Sequence, residues 1–205
     1  MKVYDLEGLP NPDRVRMALK EKNAIDAVEF VPVDLFGGEH RGEAFRAKNP
    51  DATIPAAELE DGTVLSRCSA IIEYIDGAFD GPSLIGNTPK QRAVTQMMNL
   101  RAEQGLVDAV GGYFHHATEG LGPELETDQV PEYGHQQYQK AQATMRLFDD
   151  VLATQPYLAG ESFTMADITA FAGLSFATPA GVEIPAGLDN LQDWRDRVAA
   201  RYAEN

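Results

Sequence analysis

The first 80 residues alternate between short β-type runs and stretches with helical spacing of apolar residues. KVYDL (2–6) and AVEFVPVDL (27–35) are typical of strands, and Pro32 in the second run indicates an edge strand or a break. Between them, LPNPDRVRMALKEKN (9–23) places Val15, Leu19 and Lys22 at helix spacing after a proline-rich start. The sequence therefore opens with a predicted β-α-β unit.

A hairpin and a second helix follow. IPAAEL, the turn EDG and TVLS (54–66) predict two antiparallel strands with Asp61 and Gly62 at the bend. SRCSAIIEYIDGAF (66–79) returns to helical periodicity and places three isoleucines on one side. The order β-α-β, an irregular stretch, then β-β-α predicts a small mixed sheet with helices on its faces.

The pattern changes after DGPSLIGNTPK, where Gly and Pro indicate a connection. We predict one domain over 1–80, a linker over 81–88 and an all-helical domain over 89–205. Apolar residues recur every fourth position in one long predicted helix: Val94, Met98, Ala102, Leu106, Val110 and Phe114. Further helices are expected over 136–152, after a capping box of Thr164 and Asp167, and around Trp194.

The net charge and the cysteine content limit the classes of partner and of chemistry that we expect. A formal net charge of -15 argues against partners with phosphate backbones and against anionic membranes. We expect a soluble, cytoplasmic protein, because neither an export leader nor an apolar run of about 18 to 20 residues is present in the sequence. A single cysteine forms no internal disulfide or thiolate cluster, so thiol chemistry would need a small thiol from outside.

That cysteine lies in LSRCSAI (65–71), where a strand passes into a helix. Cys68 beside Arg67 at a helix start is expected to have some thiolate character. Three roles stay open for Cys68: part of a ligand site, a small residue that fills space at the helix start, or a redox thiol.

Four segments together resemble the cytosolic glutathione S-transferase family, of a bacterial type: PNPDRVRMALKEK, VDLFGGEHRGEAFRAKNP, IPAAELEDGTVLS and AGESFTMADIT. The resemblance spans nearly the whole chain. It implies a thioredoxin-like N-terminal domain that binds glutathione as co-substrate, and an all-helical C-terminal domain. It also implies a cleft for a small-molecule electrophile and pairing as a two-fold homodimer.

The resemblance assigns several glutathione contacts. Ile54 is expected to bind through its main chain, because the bond before Pro55 is cis in thioredoxin-like domains. Asn11, between two prolines, is expected to cap the first helix and, as the catalytic residue, to donate to the glutathione sulfur. His40 in GGEHR is similar to a histidine that holds the glycine carboxylate in some members.

The electrophile pocket is less marked in the sequence. Arg101, Tyr113 and His116 on the long predicted helix are candidates to line it, and ordinary packing or surface exposure is the alternative. His115 and His116 point about 100° apart on a helix and chelate poorly, so we predict no metal site.

The chain departs from the family pattern at Arg67 and Cys68. The family resemblance places an acidic or amide residue there for the γ-glutamyl ammonium, followed by a serine for its carboxylate. Arg67 and the helix start still favour an anion. The ammonium needs another acid, and the candidates are Glu103, Asp108 or a residue of a second subunit.

Three functions remain open. The first is an enzyme that activates glutathione for attack on an electrophile, a peroxide or a disulfide. The second is a non-catalytic binding module with an altered ligand site. The third, an isomerase of maleyl-type acids, is disfavoured because LPNPDR replaces the serine- and cysteine-rich turn that such an enzyme would need.

Overall fold

The structure is a computed structural model that describes residues 1–119, 122, 126 and 128–203. The chain forms two compact units, Met1–Ile85 and Gly86–Asn205. The first unit is a mixed sheet with helices and the second is helical, as predicted for the fold class. Among the described residues, no helix is long and apolar enough to cross a bilayer.

The first unit is built on a four-stranded sheet in the order β2-β1-β3-β4. Strands β1 and β2 are parallel, whereas β3 is antiparallel to both of its neighbours. The strands are β1 (Lys2–Asp5), β2 (Glu29–Pro32), β3 (Ala56–Glu58) and β4 (Val64–Ser66), and the helices are α1 (Pro10–Glu21), α2 (Glu43–Arg46) and α3 (Cys68–Ala78).

The predicted elements of this unit are confirmed. Strand β2 lies at the sheet edge and ends at Pro32, which has no N–H to donate to a further ladder bond. The β3-β4 hairpin bends at Gly62, whose φ of +85° suits glycine. Helices α1 and α3 pack together, and Ile71, Ile72 and Ile75 are fully buried.

A buried ion pair joins the ends of α1 and α3. Lys22 Nζ lies 2.8 Å from Asp76 Oδ1. Asp76 also accepts hydrogen bonds from the main-chain N–H of Leu84 and the hydroxyl of Ser83, so it anchors the segment that follows α3. Both charges of the pair are compensated where water is excluded.

The second unit contains α4 (Pro89–Ala102), a π-helical turn (Glu103–Val107), α5 (Asp108–Ala117), α6 (Pro131–Leu152), α7 (Met165–Ala177) and α8 (Asp189–Ala203). Helix α6 begins at Pro131, five residues before the predicted start at 136. Proline suits the first helical position, because its missing N–H would have no partner there.

The prediction of one uninterrupted α helix across 94–114 is wrong, because a π turn lies within that stretch. On an α helix, residues four positions apart differ by about 40° in direction around the helix axis, so a strict four-residue repeat moves gradually around the helix. A π turn holds more than four residues, which counteracts this change of direction. The inserted turn keeps Met98, Ala102, Leu106 and Val110 buried. Gly105 lies within the turn, where a Cβ would overlap Thr144 of α6.

The predicted capping box at α7 is confirmed. Thr164 is the N-cap, and its N–H and hydroxyl both donate to Asp167 Oδ2, at 2.9 and 3.1 Å. The other carboxylate oxygen accepts from Leu158 N at 2.9 Å and from Trp194 Nε1 at 3.1 Å. Asp167 therefore joins α7, α8 and the segment before them.

Candidate active site

The segment before β3 has the conformation that the sequence predicts, because the Ile54–Pro55 peptide bond is cis. Ile54 precedes the strand, and within the described part of the chain neither its N–H nor its C=O makes a hydrogen bond. The main chain of Ile54 thus has one donor and one acceptor to offer a ligand backbone.

The expected capping role of Asn11 is wrong. Helix α1 begins at Pro10, and its N-cap is Leu9 with extended backbone angles. Proline at the first helical position has a suitable φ and no N–H to satisfy, so the helix starts one proline earlier than expected. Asn11 is therefore the second helical residue, between Pro10 and Pro12.

Asn11 contacts two side chains from different elements. Arg14 Nη1 donates to Asn11 Oδ1 at 2.9 Å, from one turn further along α1. Cys68 Sγ, at the first position of α3, lies 3.3 Å from the Asn11 main-chain oxygen and 3.7 Å from Oδ1. The amide nitrogen Nδ2 of Asn11 has no hydrogen-bond partner among the described residues and is not a buried atom.

Cys68 is buried, with 4% of its surface exposed. Its S–H group points to Asn11 of α1, and the structure thereby joins two predicted site residues that are 57 positions apart. Since only the protonated thiol can donate to a carbonyl oxygen, this contact requires the S–H form.

Arg67 has an unusual backbone. It is the N-cap of α3 with φ +72° and ψ 124°, a conformation that residues with a Cβ rarely adopt. Such a conformation costs about 1–3 kcal/mol and is common at ligand sites. The side chain is 67% exposed, and its guanidinium lies 3.1 Å from Asp51 Oδ2.

Asp51 is the residue that the sequence reasoning missed. It lies 16 positions before Arg67, and its Oδ2 is also 3.5 Å from Ser66 Oγ. The sequence suggests Glu103, Asp108 or a residue of a second subunit as the acid for the γ-glutamyl ammonium, and the first unit places a further carboxylate, that of Asp51, beside Arg67. Asp51 lies in the segment before β3 and Arg67 directly follows β4, which pairs with β3. Nothing in the local sequence of Asp51 indicates this contact.

His40, the candidate for the glycine carboxylate, is buried, with 8% of its surface exposed. Its Nε2 accepts from Arg41 Nε at 3.2 Å, and its buried Nδ1 has no hydrogen-bond partner in the described structure. Burial, followed by the charges of Arg41 and Arg46, lowers the pKa of His40 below its usual value.

Tyr4 is the tyrosine closest to Asn11 in the sequence, but its hydroxyl group is hydrogen-bonded to another side chain. It donates to Glu58 Oε2 at 2.6 Å, and Lys48 Nζ lies 2.9 Å from the same oxygen. Lys48 also lies over the Tyr4 ring, 5.1 Å from its centre. The cluster ties β1 to β3, so Tyr4 has a structural role.

The three candidate pocket residues lie in the second unit. Tyr113 packs edge-on against Tyr138 of α6, with ring centres 5.1 Å apart. His116 accepts at Nδ1 from Val130 N at 3.2 Å, and Arg101 Nη1 lies 3.4 Å from Met98 Sδ. Tyr113 and His116 share helix α5, and both make contacts on the α6 side, whereas Arg101 lies in α4.

A metal site was not expected. Across 1–119, 122, 126 and 128–203, no cluster of three or more His, Cys, Asp or Glu side chains is arranged to hold an ion.

Two family models match this chain. "Glutathione S-transferase, N-terminal domain" matches residues 10–78, and "Glutathione S-transferase, C-terminal domain" matches residues 106–197. The chain belongs to the glutathione S-transferase family.

Individual relatives agree with this assignment. "Glutathione S-transferase 2" of Saccharomyces cerevisiae is 48% identical over 98% of this chain and 86% of its own. A solved glutathione S-transferase domain-containing protein from Marinobacter aquaeolei is 63% identical, with a TM-score of 0.96 and 98% of both chains covered. The solved Gtt2 of Saccharomyces cerevisiae has a TM-score of 0.92 and 48% identity over 97% of this chain and 95% of its own.

Proposed function

We propose that the protein is a glutathione transferase that holds the glutathione thiolate at the start of α1 and directs it at a small hydrophobic electrophile, a peroxide or a disulfide. The observation that supports this proposal is the position of Asn11, because its Nδ2 is an available hydrogen-bond donor at the start of a helix. Family membership supports glutathione-dependent transfer in general, and the residue roles below are our proposal.

The start of α1 is poor in main-chain donors. Of its first three positions, Pro10 and Pro12 have no N–H, so Asn11 supplies the only one. The N–H of Asp13, the fourth position, is used by Leu9 O at 2.9 Å. Asn11 thus offers a main-chain and a side-chain donor in one residue. A donor to sulfur favours the thiolate, which is the nucleophile in transfer chemistry.

The α-amino acid end of glutathione carries one positive and one negative charge, and Arg67 with Asp51 presents the complementary pair. The guanidinium and the start of α3 suit the carboxylate, while the Asp51 carboxylate suits the ammonium. This arrangement replaces the acid that the family pattern places at position 67. The main chain of Ile54 is available for the central part of the tripeptide.

The glycine carboxylate remains assigned to His40. With Nε2 accepting from Arg41, a neutral imidazole carries its proton on Nδ1, which is a donor without a partner within the described structure. Because Nδ1 is buried, this contact needs a side-chain movement when glutathione binds. Cys68 contacts Asn11 beside this site and is not assigned a contact with glutathione itself.

The electrophile pocket is proposed to include Arg101, Tyr113 and His116, and the aromatic packing of Tyr113 against α6 supports an apolar lining. We further propose a cytoplasmic homodimer. Peroxide and disulfide reduction belong to the same proposal, because both reactions start from the same thiolate.

The proposal is tested by titrating the thiol of bound glutathione through the ultraviolet absorbance of the thiolate. We expect a pKa below the value of about 8.5 for an ordinary cysteine thiol. Asn11→Asp preserves the shape and the acceptor for Arg14 but removes the side-chain donor. It is expected to raise the thiol pKa by about one unit or more while glutathione still binds. An unchanged thiol pKa in this variant would refute the role of Asn11.

A non-catalytic binding module is the second candidate function. The presence of Arg67 where the family pattern has an acidic or amide residue favours it. Under that function calorimetry would detect a ligand, but the thiol of bound glutathione would keep its ordinary pKa and no turnover would follow. A direct assay with a maleyl-type acid separately tests the disfavoured isomerase hypothesis.

A further inference from the structure

Two side chains that would not themselves touch the sulfur converge on Asn11. Arg14 is 1% exposed and donates from Nη1 to Oδ1 at 2.9 Å. Cys68, also buried, places Sγ 3.3 Å from the Asn11 carbonyl oxygen. One contact holds the side chain of Asn11 and the other holds its main chain.

The chemistry of these partners determines which way the amide faces. A guanidinium has five N–H donors and no acceptor, so the group that faces Arg14 must be the amide oxygen. The one S–H hydrogen of Cys68 is shared between the Asn11 main-chain oxygen at 3.3 Å and Oδ1 at 3.7 Å, so the longer contact adds only weakly to the same orientation. The amide nitrogen is thereby turned away from both partners. A flipped amide would place NH₂ against a buried cationic donor and would lose a charge-assisted hydrogen bond.

We propose that Arg14 and Cys68 are positioning residues that present Asn11 as a donor to the glutathione thiolate. This inference rests on the proposed function, since it concerns the same site. An asparagine without these partners would turn its oxygen toward the ligand in part of the population, and that oxygen repels an anionic sulfur. The single cysteine acts through its S–H group on Asn11, and neither redox chemistry nor a contact with the γ-glutamyl carboxylate is needed.

The test is the pKa of the bound glutathione thiol, which a purely structural role would not change. Arg14→Met is expected to raise it by about one unit and Cys68→Ala by about half a unit. Cys68→Ser retains a donor of similar size and is the matched control, expected to stay near wild type. Binding of glutathione should weaken less than the thiol pKa changes, because the positioning residues do not touch the ligand.

A double-mutant cycle separates positioning from a direct charge effect. In an Asn11→Ala background, both substitutions should change the thiol pKa by less than about 0.3 unit, because the residue through which they act is gone. If Arg14→Met keeps its full effect there, the guanidinium acts directly on the thiolate and the inference is overturned. Should Arg14→Met fail to fold, the Cys68→Ala cycle decides alone, and equal effects in both backgrounds overturn the role of Cys68.

Failure of the proposed function has a different signature. In that case wild type itself shows an ordinary thiol pKa, whereas failure of this inference leaves a lowered wild-type value that depends on Asn11 only.

Discussion

Asp167 gives a quantitative prediction about stability. The carboxyl group is fully buried, and burial raises its pKa to about 6 from an ordinary 3.8, although four donors partly offset the effect. The folded state thus holds a proton that the unfolded state releases between about pH 4 and pH 6. Stability linked to Asp167 is fully present below about pH 4 and is lost as the pH rises through 6.

The magnitude follows from the two pKa values. The full difference corresponds to about 3 kcal/mol, and between about pH 8 and pH 5 it contributes about 1.4 kcal/mol. Measurements should stop near pH 5, because the isoelectric point is about 4.5. Asp167→Asn removes this titration. It also turns an NH₂ group toward two donors, each worth about 1–3 kcal/mol when left unsatisfied.

The assay is urea unfolding of wild type and Asp167→Asn at several pH values in one salt concentration. The variant is expected to be less stable, and its deficit should grow by about 1.4 kcal/mol as the pH falls from about 8 to 5. Other titrating groups are common to both proteins and cancel in the difference. A deficit that stays constant, or shrinks, as the pH falls would refute a raised pKa for Asp167.

Three further changes test other parts of the structure. Asp51→Asn should weaken glutathione binding by about 10- to 100-fold in calorimetry, because a charged hydrogen bond is lost. A glutathione analogue without the α-ammonium should bind the wild type and the variant equally. If the analogue loses as much affinity as glutathione, the ammonium contact is contradicted. Lys22→Met leaves the buried carboxylate of Asp76 without its cation and should cost about 3–5 kcal/mol in urea unfolding, whereas a loss below about 1 kcal/mol would show that water compensates the charge. Gly105→Ala should destabilise by about 1–3 kcal/mol through overlap with Thr144, and Thr144→Ala should recover part of that loss; no recovery would place the strain elsewhere.

Local patterns were sufficient for most of the first unit. Ile71, Ile72 and Ile75 lie on the buried face of α3 because helix periodicity depends on spacing within a few residues. The capping box of Thr164 and Asp167 likewise involves neighbours in the chain. The start of α1 was misplaced because both Pro10 and Pro12 suit a first helical turn, and local preference does not choose between them.

The candidate site was only partly predictable for a different reason. Asn11, Arg67 and Cys68 were identified as individual residues, but each had several open roles. The contact of Cys68 with Asn11 spans 57 positions, and the pairing of Arg67 with Asp51 spans 16. Such contacts depend on how α3 and the β3-β4 hairpin are placed, so no periodicity or motif in the sequence predicts them.

Residue types and their short-range order thus sufficed for the strands, the helices and the division between a mixed and a helical part. Those features follow from backbone preferences and from which side of an element is apolar. The orientation of the Asn11 amide, the burial of His40 and the acid beside Arg67 arise in the folded chain alone. Hydrogen bonds and charges act over a few ångströms of space, and folding brings together groups that the sequence keeps far apart.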